Sequence, residues 1–255
     1  MSGKTYVGNA SGVAKVPKKI YAGNSSNVAK AVKGVYCGNS SGKAVEVWRN
    51  STLPSTYQKV EYIFNTGKTE YINIGVKPNS DTRAEIEFKR VSYSNNGALF
   101  GVENYSDNKY YSVAFGNGSQ INPVCAFGPQ TMSLDTVYLN TKYKLYFNQP
   151  GGEFYLDGGT KKTSTMTFSA FDYPIILFGR YYISGPNGST RTIEPSTDGF
   201  YVYHFVVKQA NSIIRDMYPC YLKSDTQVVG MYDVANSQFY GNNGTGIFYK
   251  GPDID

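Results

Sequence analysis

The chain has 255 residues, enough for one large β-sandwich or for one domain with a small appendage. Charged residues make up only 17%, while 24 tyrosines and 27 glycines point to strands broken by many turns. The net charge of +6 suits attraction to an anionic surface, but no helix-turn-helix or zinc-finger pattern accompanies it, which excludes nucleic acid as the expected partner.

The first 48 residues repeat. Tyr6, Tyr21 and Tyr36 recur at one constant step, as do Gly8, Gly23 and Gly38, and Asn9, Asn24 and Asn39. Ser11, Ser26 and Ser41 keep the same register, and so do Ala14, Ala29 and Ala44. Five columns in register three times mark a structural unit. Each unit reads as a hairpin: Ile20-Tyr21-Ala22 leads in, Gly23 to Asn27 turns, and Val28 to Val32 leads out. Isolated hairpins are marginal in water. The segment therefore needs partners, and Tyr6, Tyr21 and Tyr36 are the candidate assembly residues. Among its lysines, Lys15, Lys18, Lys19, Lys30, Lys33 and Lys43 are spread through the repeats rather than clustered.

The repeat stops at a polar joint, Trp48 to Pro54, so the domains are expected at 1–49 and 50–255. Strand patterns follow. Ala84 to Lys89 and Lys142 to Phe147 alternate apolar and polar residues, as half-buried strands do. Glu153 to Leu156 runs into the turn Asp157-Gly158-Gly159, and Ile175 to Phe178 is apolar throughout. Phe200 to Val207 is apolar and aromatic on both faces and should be central. Ile213 to Tyr218, Val228 to Tyr232 and Gln238 to Tyr240 complete the series. No stretch keeps a helical period, so the fold class is all-β, a sandwich or barrel.

Leu53-Pro54-Ser55-Thr56-Tyr57, Val60-Glu61-Tyr62-Ile63, Thr66-Gly67 and Tyr71 to Pro78 open this region, and Arg215 to Cys220, Val229 to Asp233, Phe239-Tyr240 and Gly244 to Phe248 close it. These residues resemble a concanavalin-like, laminin-G-like domain common in phage tail and prophage structural proteins of gut Firmicutes. Short Tyr-Gly repeats ahead of the domain fit the same group. The resemblance implies a concanavalin-like jelly-roll β-sandwich preceded by β-hairpin repeats. It implies a virion or tail-associated adhesion protein, made in the host bacterial cytoplasm, in keeping with an opening Met-Ser-Gly-Lys-Thr-Tyr that lacks the apolar stretch of a secretory signal. The expected partners are other virion proteins, further copies of the chain with a trimer favoured, and a host-surface glycan. The middle, about Ser92 to Ser196, carries no motif of the family.

Concanavalin-like folds include glycosidases, which need two carboxylates. Glu85 and Glu87 share one face of a strand, about 6.6 Å apart at roughly 3.3 Å per residue. Lys89 and Arg90 follow where related glucanases carry a third acid, so the pair reads as a polar strand face, with a carbohydrate-active enzyme as the alternative. His204, the single histidine, lies within an apolar strand and reads as a packed, hydrogen-bonded residue. Cys37, Cys125 and Cys220 are too widely spaced for a disulfide framework or metal cluster. No catalytic residue, metal ligand or cofactor is expected, and no apolar run is long enough to span a membrane.

Two stretches mix aromatic faces with hydrogen-bonding groups, as sugar sites do. The first holds Tyr105, Asp107, Asn108 and Tyr110; the second holds Arg180, Tyr181, Tyr182, Asn187 and Arg191 and opens a Gly- and Pro-rich loop. These nine are the candidate ligand residues. The same tyrosines would equally suit subunit contacts in a purely architectural particle protein.

Overall fold

The computed structural model describes residues 53–66, 69–92, 97–116 and 122–254, together with the backbone of 21–23, 29–31, 34–38 and 44–49. Contacts divide the chain into two units, Met1–Thr52 and Leu53–Asp255. In the first unit, β1 (Tyr21–Gly23) pairs antiparallel with β2 (Ala29–Ala31), and β3 (Gly34–Gly38) with β4 (Ala44–Arg49). These two strand pairs lie within the second and third repeats. Tyr6 and the side chains of Tyr21 and Tyr36 lie outside the described residues.

The second unit is a two-sheet β-sandwich. Its strands are β5 (Tyr57–Lys59), β6 (Ile63–Phe64), β7 (Ile72–Asn73), β8 (Thr82–Arg90), β9 (Gly97–Asn104), β10 (Lys109–Phe115), β11 (Pro123–Gly128) and β12 (Gln130–Ser133). They continue with β13 (Lys142–Gln149), β14 (Glu153–Leu156), β15 (Lys162–Thr163), β16 (Ile176–Leu177), β17 (Gly179–Ser184) and β18 (Thr190–Pro195). The last are β19 (Phe200–Gln209), β20 (Ser212–Leu222), β21 (Asp225–Asp233), β22 (Gln238–Gly241) and β23 (Tyr249–Lys250). No α-helix occurs among the described residues, and so none there is long and apolar enough to cross a membrane.

The large sheet runs β15-β14-β13-β8-β19-β20-β21-β22, with β6 and β23 joined beside β19 and β5 beside β20. Strand β8 alternates buried and half-buried residues along its whole length, so Ala84, Ile86 and Phe88 face the core and Glu85, Glu87 and Lys89 face out. Strand β19 is central, held antiparallel between β8 and β20.

The small sheet runs β12-β11-β10-β9-β16-β7. Strand β17 adds to β9 in parallel, with Tyr181 opposite Val102 and Tyr182 opposite Glu103, and then carries β18 antiparallel. The core between the sheets is aromatic. Phe147 of the large sheet lies 4.7 Å from Tyr111 and 5.6 Å from Phe100 of the small one, ring centre to ring centre. Rings at such separations, tilted or edge-on, attract beyond their buried area.

Candidate functional site

The small sheet turns one face to the core and the other outward. Along β9 and β10, Val102, Tyr111 and Val113 are fully buried in the core, so their neighbours Glu103, Tyr110, Ser112 and Ala114 face the other way. That outer face is hollowed because its side chains are small. Gly101 lies opposite Ser112 in the register, and a Cβ at Gly101 would stand 2.3 Å from that of Ser112. Ala114, Val124, Ala126 and Thr131 continue the floor. The result is a cleft of about 270 Å³ whose polar end is formed by Glu103, Ser112 and Arg180, with Tyr105 and Tyr110 at its rim.

The polar end is a chain of charge-assisted bonds. Arg180 Nη1 lies 3.0 Å from Glu103 Oε2, and its Nη2 and Nε lie 2.8 and 2.9 Å from Glu194 Oε2. Ser112 Oγ donates to Glu103 Oε1 at 2.6 Å. Glu103 is 3% and Arg180 6% exposed, which is tolerable for charges only because each is paired. Burial works against the charge of Arg180, but Glu103 and Glu194 outweigh it and raise its pKa. Burial, and next the Glu103 carboxylate, raise the pKa of the Tyr105 and Tyr110 phenols. Both hydroxyls therefore stay protonated donors at neutral pH.

The rim rings come from two turns locked together. Tyr105 N donates to Ile183 O at 2.8 Å. Ser106 Oγ donates to Gly185 O at 2.7 Å and accepts from Gly188 N at 3.2 Å. The β9–β10 turn is closed by Asn104 Nδ2 donating to Asp107 at 2.7 Å, and Asn108 adopts φ 50°, a conformation asparagine tolerates. Tyr105 then sits 5.0 Å from Tyr182 and 5.1 Å from Tyr110, and Arg180 lies 5.3 Å over the Tyr182 ring.

Of the nine sequence-predicted residues, the fold thus gathers Tyr105, Tyr110 and Arg180 at one cleft, with Tyr182 packed against Tyr105 and Arg180. Asp107 and Asn108 shape the first turn. Asn187, at φ 53°, shapes the second. Arg191 donates to Gly188 O at 3.1 Å and lies over Tyr173. Tyr181 belongs to the opposite face of β17, stacked 4.4 Å from Tyr173. Sequence reasoning missed Glu103 and Ser112. The available signal was an acid directly following the apolar stretch Gly97 to Val102.

The carboxylates weighed for glycosidase chemistry lie on the outer face of the other sheet. Glu87 pairs with Lys142 at 3.0 Å, and Glu85 with Lys208 and with Lys144 at 3.3 Å. Burial pushes the pKa of Glu85 up, but the two lysines more than reverse this and leave it lowered, the wrong direction for a general acid. His204 Nε2 lies 2.7 Å from Asp216 Oδ1, and its ring stacks 4.3 Å from Tyr218. Cys125 and Cys220 are buried free thiols. Among the described residues, no group of His, Cys, Asp and Glu is placed to hold a metal ion.

Fold and cleft together define a β-sandwich with an aromatic-rimmed site on its small sheet. No family model matches the sequence, and no curated protein matches it. Among solved structures, the chain is similar to a “putative carbohydrate binding protein” from Bacteroides ovatus ATCC 8483, at 16% identity and a TM-score of 0.48. The match covers 77% of this chain and 62% of that one, so the chain spans less than two thirds of that protein. At this identity the likeness concerns the fold alone.

Proposed function

We propose that this chain is a non-enzymatic adhesion protein of a phage or prophage particle whose sandwich binds a surface glycan in the Glu103–Arg180 cleft. One observation carries the binding reading: an exposed ring, Tyr105, and a half-buried one, Tyr110, line a cleft together with a buried, ion-paired acid–arginine–hydroxyl chain. A pyranose ring needs both parts, an aromatic face for its C–H side and fixed polar groups for its hydroxyls. Pockets combine an apolar lining with a few placed polar groups for this reason. The particle context rests on the resemblance of both ends of the domain and on the hairpin repeats, which would assemble the chain, as a trimer, or dock it on other virion proteins.

The test is a glycan array probed with the full chain, followed by calorimetry on the best ligand. Tyr105 is 47% exposed, so Tyr105→Ala should leave the fold intact and weaken binding about tenfold or more, the loss of one stacked aromatic contact. A chain that binds no glycan, or binds equally well without Tyr105, overturns the reading. Release of new reducing ends from a bound glycan would overturn its non-enzymatic part. Light scattering of the full chain against a chain starting at Ser51 tests the repeats. Loss of an oligomer on truncation supports assembly, and a monomer in both cases removes the trimer.

A further inference from the structure

The two charges that line the cleft, Glu103 and Arg180, offset one another, so selection falls to its apolar and hydrogen-bonding surface. Glu103, Ser112 and Arg180 are buried and bonded to each other, which leaves them little surface for a ligand. The floor beside them is methyl surface. Register sets Ser112 opposite Ala126, and Ala114 opposite Val124, so the side chains of Ala114, Val124 and Ala126 are neighbours on one face of the sheet. Ala114 and Val124 are half-buried and Ala126 is 7% exposed. Ligand atoms set there lose water and gain no hydrogen bond from these three side chains. A sugar hydroxyl lodged on such a floor gives up its hydration without replacement, whereas a methyl group gains by the same move. The Tyr110 phenol also lines the cleft. Burial, and next the Glu103 carboxylate, keep it protonated, so it can donate to an acceptor held above the floor.

We infer that the sugar unit held in the cleft carries an acetyl group, its methyl on the Ala114, Val124 and Ala126 floor and its carbonyl accepting from the Tyr110 phenol. This rests on the glycan-binding reading of the same cleft. A hydroxyl offers no methyl and a deoxy position offers no acceptor; an acetyl group supplies both. N-linked and O-linked acetyl groups share this chemistry.

The experiment uses the full chain and a panel holding each oligosaccharide backbone in free-hydroxyl, deoxy, O-acetylated and N-acetylated forms. At least one acetylated form should bind about tenfold tighter than its hydroxyl counterpart, with the deoxy form between them, and the two acetylated arms tell which linkage the cleft takes. Val124→Thr keeps the shape of the side chain but exchanges a methyl for a hydroxyl, and should narrow the preference several-fold. Tyr110→Phe removes the donor and should bring the acetylated form down towards the deoxy one. Tyr105→Ala should weaken every form by a similar factor and leave their ratios unchanged. Equal binding of the acetylated and hydroxyl forms, or a preference left unchanged by Val124→Thr or by Tyr110→Phe in chains of unaltered thermal unfolding, overturns the inference while leaving a glycan site in place. Absence of binding to every glycan overturns the underlying reading as well.

Discussion

Arg90 ends β8 with its side chain wholly inside the protein. Its Nη2 lies 2.5 Å from Asp198 Oδ2, and both side chains are 0% exposed. The guanidinium carbon stands 4.4 Å over the Phe115 ring. Asp198 fits there because residue 97 is glycine: a Cβ at Gly97 would lie 2.1 Å from the Asp198 carboxyl carbon. Asn65 closes the knot, donating to Asp198 O at 2.9 Å and accepting from Phe200 N at 2.7 Å. Replacing Asp198 by Ala removes the carboxylate and leaves the cation in a dry site. Losing one partner of a buried pair costs about 3–5 kcal/mol. For a domain of this size each kcal/mol moves the melting temperature by roughly 2–4 °C. The expected drop is therefore about 6–20 °C by thermal unfolding.

The double variant Arg90→Met, Asp198→Ala should recover much of that loss, because no uncompensated charge remains. Sodium chloride at 1 M should leave the single variant's deficit unchanged, since a pair without solvent contact is barely screened. The reasoning is refuted by a deficit below about 1 kcal/mol, by one that disappears in salt, or by a double variant less stable than the single one.

Three further outcomes follow from the same packing. The Tyr111 hydroxyl is buried without a hydrogen-bond partner in the core, so Tyr111→Phe should raise stability by about 1 kcal/mol, whereas Phe147→Ala should lower it by about 3–5 kcal/mol; chemical denaturation of the two variants checks both signs. Glu85 has its folded pKa lowered from the ordinary 4.5 by Lys208 and Lys144, against burial, so its contribution is complete above that value and is lost as pH falls through the folded pKa. The melting-temperature gap between the natural chain and Glu85→Gln should hold constant at higher pH and shrink below about pH 4.5, and a gap equally wide at pH 3 would contradict this. Burial pushes the Cys220 thiol up to about 12 and that of Cys125 higher still, so in a Cys37→Ser chain a thiol reagent at pH 8 should label neither until the protein is unfolded.

The large sheet was legible because its strands carry a period of two. Glu85, Glu87 and Lys89 alternate with core residues, and the expected strands at Ala84 to Lys89, Lys142 to Phe147 and Phe200 to Val207 lie within β8, β13 and β19. The expected central place of Phe200 to Val207 holds as well. Strands β9 to β12 gave no such signal. Strand β9 is buried on both faces over nearly its whole length, and the outward residues of β10 and β11 include the small Ser112, Ala114 and Ala126. Small residues hollow the cleft and, by the same property, erase the polar half of the pattern.

That erasure explains the shape of the site prediction. Tyrosines are conspicuous in a sequence, so Tyr105, Tyr110, Tyr181 and Tyr182 were all chosen, although the alternation of side chains along a strand already divides Tyr181 from Tyr182. Glu103 was passed over because its meaning depends on Arg180, a partner brought beside it only when β17 aligns parallel to β9. Local pattern locates the rim, whereas the charged end is created by long-range strand pairing. Only that pairing sets Arg180 against Glu103 and so completes the polar end of the cleft. On the proposed reading, composition governs how the protein would approach a surface at long range, and the Glu103–Arg180–Glu194 chain governs what it would hold on contact.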